Sequence, residues 1–267
     1  MSDSTYCCIG CGNIAKAICA GAFRSGTIDN QNITVYDADP AVQIAFCEKF
    51  GAKGADNAEE AARGADFVFI AVKPGVCAAV LSEIGGEVRK SGGMVISLAA
   101  GVTIAQLQGS LPEGVPVARV MPNLNMASRA GVAGICFNEC AGREQRQRVR
   151  GFFELVGSVF EIAEPQFDIL TAISGCAPAY TYMFIDALAK GAHKNGMNKA
   201  LATRLAAETV LGSAKALLES AENGAHAYQL VDNVCSPAGM TIKGVCALDS
   251  GGFTGLVTSA VEASLKQ

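Results

Sequence analysis

Apolar residues run along this chain in two textures. As far as Glu164, short apolar runs rich in β-branched and aromatic residues alternate with longer stretches of helical period. The short runs are 6–9, 33–36, 67–72, 94–98, 115–120, 131–137 and 158–162. Each is bounded by Gly, Pro or charged residues, which predicts strands. Phe67-Val68-Phe69-Ile70-Ala71-Val72 lies between Asp66 and Lys73-Pro74, the pattern of a strand covered on both faces. Helices are predicted over about 13–23, 40–50, 74–89 and 143–155, the second opened by Pro40 in a favourable first-turn position. Strands alternating with helices predict an α/β domain, a parallel sheet with helices on both faces.

Beyond Glu164-Pro165 no convincing strand pattern follows. Helical stretches are predicted over about 166–173, 177–194, 198–221, 236–248 and 252–265, with Ala206, Val210, Ala214 and Leu217 at helical spacing in the third. Ala179 to Ile185 is apolar nearly all round, and such a helix must be buried. An all-helical segment this apolar is hard to satisfy in one chain. The expectation is therefore an α/β domain over 1–164, an all-α domain over 165–267, and an intertwined homo-oligomer.

Composition narrows the class. Half of the 267 residues are hydrophobic and 17% are charged, which excludes disorder as the main state. With 21 basic against 25 acidic residues, there is no cationic excess to neutralise a nucleic-acid backbone. Arg143, Arg146, Arg148 and Arg150 form the densest basic run and read either as an anion patch or as the solvated face of a helix. No stretch reaches the ~18 apolar residues of a membrane span. The Met-Ser-Asp-Ser-Thr start lacks the basic and apolar regions of a leader, so a cytoplasmic location is expected. The 11 cysteines cannot all pair within one chain. Cys8 and Cys11 form a C-x-x-C, which reads as a dithiol or metal site or as small reduced core thiols. No second ligand pair follows, so no metal is predicted.

Chemistry enters at Gly10-Cys11-Gly12-Asn13-Ile14-Ala15, a G-x-G-x-x-A between the first strand and the first helix. Gly10 allows the tight turn, Gly12 lets backbone approach a pyrophosphate, and Ala15 permits close packing of helix on strand. The amides that open the helix would face the phosphates. Asp37 ends the second strand, 22 positions beyond Ala15. A carboxylate there accepts bonds from ribose hydroxyls and repels a 2′-phosphate. The pattern predicts a nicotinamide dinucleotide, NADH or NADPH, with Asp37 leaning to NADH. The alternative, that Asp37 caps the next helix, stays open.

A second constellation is Asp232-Asn233-Val234-Cys235-Ser236-Pro237-Ala238-Gly239-Met240-Thr241. Ser236 suits an N-cap and Pro237 a first helical position. Backbone amides near 238–241, with the Ser236 and Thr241 hydroxyls, could hold a small carboxylate; an ordinary capped helix is the other reading.

Taken in order, these segments resemble the pyrroline-5-carboxylate reductases. The glycine turn resembles the family's I-G-x-G-N-M-A, with Ile14 for Met. Val72-Lys73-Pro74 resembles its V-K-P, and Arg119-Val120-Met121-Pro122-Asn123 its R-x-M-P-N. Ser174-Gly175-Cys176-Ala177-Pro178-Ala179-Tyr180 is similar to S-G-S-G-P-A-Y, and Asp232 to Thr241 with Ser250-Gly251-Gly252-Phe253 to its C-terminal signature. Departures are Leu124-Asn125 for Thr-Pro, Cys176-Ala177 for Ser-Gly, Ala238 for a common Gly, and Met240 for Thr or Ala.

The resemblance implies a Rossmann domain, a helical dimerisation domain, and dimers assembled into larger rings. It implies reduction of a cyclic imino acid, 1-pyrroline-5-carboxylate, to L-proline by hydride from NAD(P)H. Gly10, Gly12, Asn13, Ile14, Asp37, Asn57, Ala71, Lys73 and Pro74 would line the cofactor. Ser236, Gly239, Met240 and Thr241 would bind substrate, with Thr241 also near the ring nitrogen. A cyclic imine can arrive already protonated, which agrees with the lack of His, Asp or Glu between Ser236 and Thr241 and leaves catalysis to positioning and electrostatics. Two rivals remain: a related imine or β-hydroxyacid reductase with Lys190 as acid, and a non-catalytic dinucleotide-binding protein.

Overall fold

The computed structural model describes residues 4–265. They form two compact units, Met1–Gly175 and Cys176–Gln267. In the first, the chain runs β1 (Tyr6–Ile9), α1 (Asn13–Arg24), β2 (Ile33–Tyr36), α2 (Pro40–Phe50), β3 (Lys53–Gly54), α3 (Ala58–Ala62), β4 (Phe67–Ile70), α4 (Pro74–Ser91), β5 (Met94–Ser97), α5 (Ile104–Gly109) and β6 (Val117–Pro122). It continues through β7 (Gly131–Phe137), α6 (Arg143–Glu154), β8 (Gly157–Glu161) and α7 (Phe167–Leu170).

Eight strands form one sheet in the order β3-β2-β1-β4-β5-β6-β7-β8. The chain winds outward from β1 on one side, then crosses to β4 on the other. The order reverses between β1 and β4, where open α/β sheets open a crevice at their carboxyl ends. The side-chain alternation of β1 and β4 splits the core. Tyr6, Cys8, Phe67 and Phe69 pack with Ile18, Phe152 and Phe153 on one face, while Cys7, Ile9, Val68 and Ile70 pack with Leu81, Ile84 and Val88 on the other. The predicted covering of both faces is thus met.

The sheet differs from the expected all-parallel one at a single pair. β6 and β7 are antiparallel, with Met121 opposite Gly134, because only the short segment 123–130 joins them. A parallel crossover needs about a dozen residues. The two-residue β3 carries no apolar run, and its pairing with β2 had no sequence signal. β6 begins two residues later than the run at Val115 suggests.

Residues 166–173 are not a regular helix. α7 is one turn long, and a π-helical turn follows over Thr171–Cys176. This segment packs with the first compact unit, which runs to Gly175. Phe167 and Leu170 are buried, and the half-exposed Glu164 accepts from Ile104 N (2.7 Å) and from Arg119 Nη1 (3.0 Å). The Arg119 guanidinium in turn lies over the Phe167 ring at 4.4 Å.

The arginine run on α6 is divided: Arg143 and Arg150 lie on the expected solvated face, whereas Arg146 and Arg148 are half-buried. Arg146 donates to the carbonyls of Ala141 and Asn138, Arg148 donates to Ser4 Oγ, and Arg150 donates to Glu154. Arg146 and Arg148 also cover the rings of Phe137 and Phe67. Arg146 and Arg148 thus staple α6 to its surroundings, while the Arg150–Glu154 pair stays within the helix.

The second unit is helical throughout its described residues: α8 (Ala177–Lys194), α9 (Lys199–Ala221), α10 (Ala227–Val234), α11 (Met240–Ser250) and α12 (Phe253–Leu265). α10 was not foreseen. Tyr180 Oη on α8 bonds Ala260 O and Ser264 Oγ on α12. Few side chains here are buried within the chain. Tyr182, Met183, Leu211, Leu218 and Leu256 are each more than 60% exposed in the single chain, as expected of apolar helices whose burial needs a second copy. Among the described residues no helix is long and apolar enough to cross a membrane.

Candidate active site: two uncapped helix starts

The glycine turn lies at the carboxyl end of β1, beside the reversal in strand order. Gly10 has φ 99°, and its N–H donates to Tyr36 O at 2.8 Å. A Cβ on Gly10 would lie 2.6 Å from the Ala71 carbonyl oxygen. Glycine is therefore required twice, for the left-handed turn and for the close approach of the β1 and β4 ends. Gly12 is exposed, and a Cβ there would meet nothing within 4 Å. It is the N-cap of α1, which has no side-chain cap and no acidic residue in its first turn. The first intrahelical bond is Lys16 N to Gly12 O at 3.0 Å, so the amides of Asn13, Ile14 and Ala15 precede the ladder. An open backbone cradle at an uncapped, positively polarised helix start fits a pyrophosphate.

Asp37 is half-buried beside this turn. Its Oδ2 accepts from Cys11 N at 2.7 Å and its Oδ1 from Asp39 N at 3.0 Å. The open alternative closes here, because Asp39 is the residue that caps α2, accepting from Ala41 N. Asn57 is exposed and caps α3, its Oδ1 accepting from Glu60 N at 2.8 Å. Ala71 is half-buried, with its N–H on Ile9 O at 2.8 Å. Lys73 is the exposed N-cap residue of α4, and Pro74 is its first residue. The structure thus gathers Gly10, Gly12, Asn13, Ile14, Asp37, Ala71, Lys73 and Pro74 at the carboxyl ends of β1, β2 and β4. Asn57 lies beyond β3 on the same side of the reversal.

The C-x-x-C is part of this fabric. The Cys8 thiol donates to Gly10 O, and Cys8 and Cys11 are buried. Burial, then the Asp37 carboxylate, pushes the Cys11 thiol up to about 12, and burial pushes Cys19 up to about 12. Groups held so far above the usual thiol range are poor nucleophiles and poor metal ligands at neutral pH.

The second start is in the helical unit, and its geometry corrects the expected one. α11 begins at Met240 with Gly239 as N-cap, not at Pro237 with Ser236 as N-cap. Ser236 to Gly239 forms a β-turn closed by Gly239 N to Ser236 O at 3.0 Å. Pro237 takes the position a proline favours, and Ala238 follows with φ 58°, the arrangement of a type II turn. A left-handed residue cannot continue a helix, which delays α11 by three positions. A Cβ on Gly239 would press on the Ser236 hydroxyl and lie 3.0 Å from the Ser236 carbonyl oxygen, so a larger residue here would have to turn the Ser236 side chain. Ser236, Met240 and Thr241 are exposed, and α11 has no side-chain cap or acidic residue in its first turn. The turn borders an open concavity of about 290 Å³ lined by Asp232, Cys235, Ser236, Pro237, Ala238 and Ile242.

Two groups outside these sites bear on the alternatives. Lys190 is bound to Asp186 at 2.7 Å, and Asp186 also takes Lys199 at 2.6 Å. The Asp186 contact raises Lys190 above its ordinary range, unlike a lysine tuned to act as an acid near neutrality. Sequence reading also passed over Asn123 as a site residue. It is 5% exposed and joins three segments, donating to Ser174 O at 3.0 Å and accepting from Val132 N at 3.2 Å. Its signals were its place after the β6 run and at the end of the R-x-M-P-N resemblance.

Comparison with known proteins agrees with this geometry. Residues 164–267 match the family model for pyrroline-5-carboxylate reductase dimerisation. Residues 5–101 match the model for NADP oxidoreductase, coenzyme F420-dependent. The pyrroline-5-carboxylate reductase of Escherichia coli is 40% identical over 95% of this chain and 93% of its own length. Pyrroline-5-carboxylate reductase 3 of Xenopus laevis is 37% identical over 96% of this chain and 92% of its own. A crystal structure of the Plasmodium falciparum pyrroline carboxylate reductase with NADP bound superposes with a TM-score of 0.87 at 29% identity, covering 100% of this chain and 97% of that one. A 3-hydroxyisobutyrate dehydrogenase from Mycobacterium tuberculosis, at 14% identity and a TM-score of 0.53, shares the fold alone. With 40% identity to a named relative over nearly its whole length and a matching dimerisation model over its helical part, the chain belongs to the pyrroline-5-carboxylate reductase family.

Proposed function

We infer that this chain reduces 1-pyrroline-5-carboxylate to L-proline with a nicotinamide dinucleotide as electron donor. The observation that carries the reading is the open, uncapped start of α1 at exposed Gly12, beside the strand-order reversal, in a chain whose named relatives are reductases of this substrate. When bound, the reduced dinucleotide supplies the hydride. The amides of Gly12 to Ile14 hold its pyrophosphate, and Asp37 accepts from its ribose hydroxyls. Asn57, Ala71, Lys73 and Pro74 border it.

Ser236, Gly239, Met240 and Thr241 take the substrate carboxylate. The α11 amides and the Thr241 hydroxyl meet its negative charge where the helix dipole favours it. Thr241 is the catalytic residue of the set, because its hydroxyl also reaches the ring nitrogen. The imine nitrogen carries its proton before the hydride reaches the adjacent carbon, so the loop needs to orient and stabilise rather than to deliver a proton.

Asp37 favours NADH, since a second negative charge on the ribose would face its carboxylate. Self-association covers the apolar faces of α8 and α9, and dimers assemble further into a ring. The test is loss of reduced-nicotinamide absorbance on adding pyrroline-5-carboxylate, with both cofactors, alongside light scattering. Turnover by an oligomer supports the reading; a folded protein inert with both cofactors refutes the activity, and a stable active monomer refutes the assembly.

A further inference from the structure

Gln43 lies on α2, half-buried, and has no place in the sequence motifs. Its side-chain amide is used at both ends. Oε1 accepts from the backbone N–H of Asp37 at 2.8 Å, and Nε2 donates to the carbonyl of Ala55 at 2.9 Å. One amide therefore ties the residue after β2 to the residue after β3. It does so across Gly54, where a Cβ would sit 2.9 Å from Gln43 Nε2. Glycine at 54 leaves the channel through which the amide reaches Ala55.

The consequence falls on Asp37. Its carboxylate has about four acceptor positions, and the Cys11 and Asp39 amides take two of them. Two remain, the number needed by a pair of ribose hydroxyls. Which way they point depends on the Asp37 backbone, and the side-chain bond to that backbone comes from Gln43. Ala55 stands two residues before Asn57, so the same amide sets the start of the α3 segment. We propose that Gln43 is a positioning residue for cofactor choice: by clamping Asp37 N and Ala55 O it aims the Asp37 carboxylate at the ribose. This rests on the reading above that Asp37 selects against a 2′-phosphate.

The experiment measures dissociation constants for NADH and NADPH by fluorescence titration without imine, and kcat/KM with each, for wild type, Gln43→Met, Gly54→Ala, Asp37→Ser and the Asp37→Ser/Gln43→Met double variant. Gln43→Met keeps length and loses both bonds. It should lower the preference for NADH over NADPH roughly tenfold, the scale of one charge-assisted hydrogen bond, with KM for pyrroline-5-carboxylate unchanged. Gly54→Ala displaces the amide without altering it and should move the preference the same way, by less. In the Asp37→Ser background, Gln43→Met should change the preference no further, because the two act as one unit. An unchanged preference in folded Gln43→Met, an equal loss for both cofactors, or an undiminished effect in the double variant overturns the proposal. If Gln43→Met does not fold, Gly54→Ala decides alone. If Asp37→Ser leaves the preference unmoved, the Asp37 reading fails and this proposal with it. If Asp37→Ser shifts the preference and Gln43→Met does not, only the role of Gln43 fails.

Discussion

The two helix starts, one before α1 and the other before α11, are the same device in different settings. Each follows a turn with one left-handed residue, and each lacks a side-chain cap. The first sits on a core. Gly10 is buried between β1, β2 and β4, and Cys11 N is held by Asp37. The second sits on the surface of a unit whose helices bury few of their own side chains. Its left-handed residue is an exposed alanine, Ala238. An anion site gains from a fixed array of amides, since no reorganisation is then needed when charge arrives. The α1 start has that rigidity from its own sheet. The α11 start carries an unfavourable left-handed alanine, and its surrounding apolar faces call for a second copy of the chain.

Substitutions at the turns separate these settings most sharply. Gly10→Ala places a Cβ against Ala71 O at a left-handed φ. The strain and overlap should cost about 3 kcal/mol or more of stability, read by denaturant unfolding, with cofactor binding lost. A stable Gly10→Ala protein that still binds NADH would show that the turn is not held by the core as described.

Thr241→Ala tests the exposed start. Loss of one bond to a charged group, worth about 1.5–3 kcal/mol, should reduce kcat/KM roughly ten- to a hundredfold, with cofactor dissociation constants unchanged. A fall in kcat as well as a rise in KM assigns the hydroxyl to the imine and not to the carboxylate alone. If only melting temperature falls, Thr241 merely supports α11. Asp37→Ser should shift kcat/KM toward NADPH by about tenfold, for one charge-assisted bond lost; a wild-type enzyme that already prefers NADPH strongly would reverse the assignment.

Ala238→Gly is expected to be favourable. Relief of the left-handed alanine should raise stability by about 1 kcal/mol, read as a higher melting temperature with kcat retained. The smallest effect concerns thiols. Cys140 and Cys246 are exposed, whereas Cys8, Cys11 and Cys19 are buried with thiols held far above their usual range. Alkylation near neutral pH should modify Cys140 and Cys246 before any buried thiol, and in a Cys246→Ser background it should leave activity intact. Labelling of Cys11 should wait for strongly alkaline pH or unfolding, since the reactive thiolate forms only there.

The sequence by itself determined what depends on neighbours along the chain. Apolar runs and helical spacing placed seven strands and most helices to within a few residues. Gly10-x-Gly12 directly after a strand marked the turn proposed for the cofactor, because only glycine tolerates the φ and the close approach at position 10. Asp37 was legible as the acidic end of β2. The tertiary structure decided the rest. The antiparallel β6–β7 pair depends on how the chain returns to the sheet, and the two-residue β3 on an edge offered by β2. The start of α11 depended on whether Ser236-Pro237 opens a helix or a turn. Local preference allows both, and the left-handed Ala238 selects the turn. Gln43 carried no signal at all: a glutamine on a helix is ordinary until two backbone groups, six and twelve positions along the chain, are brought within reach of its two ends.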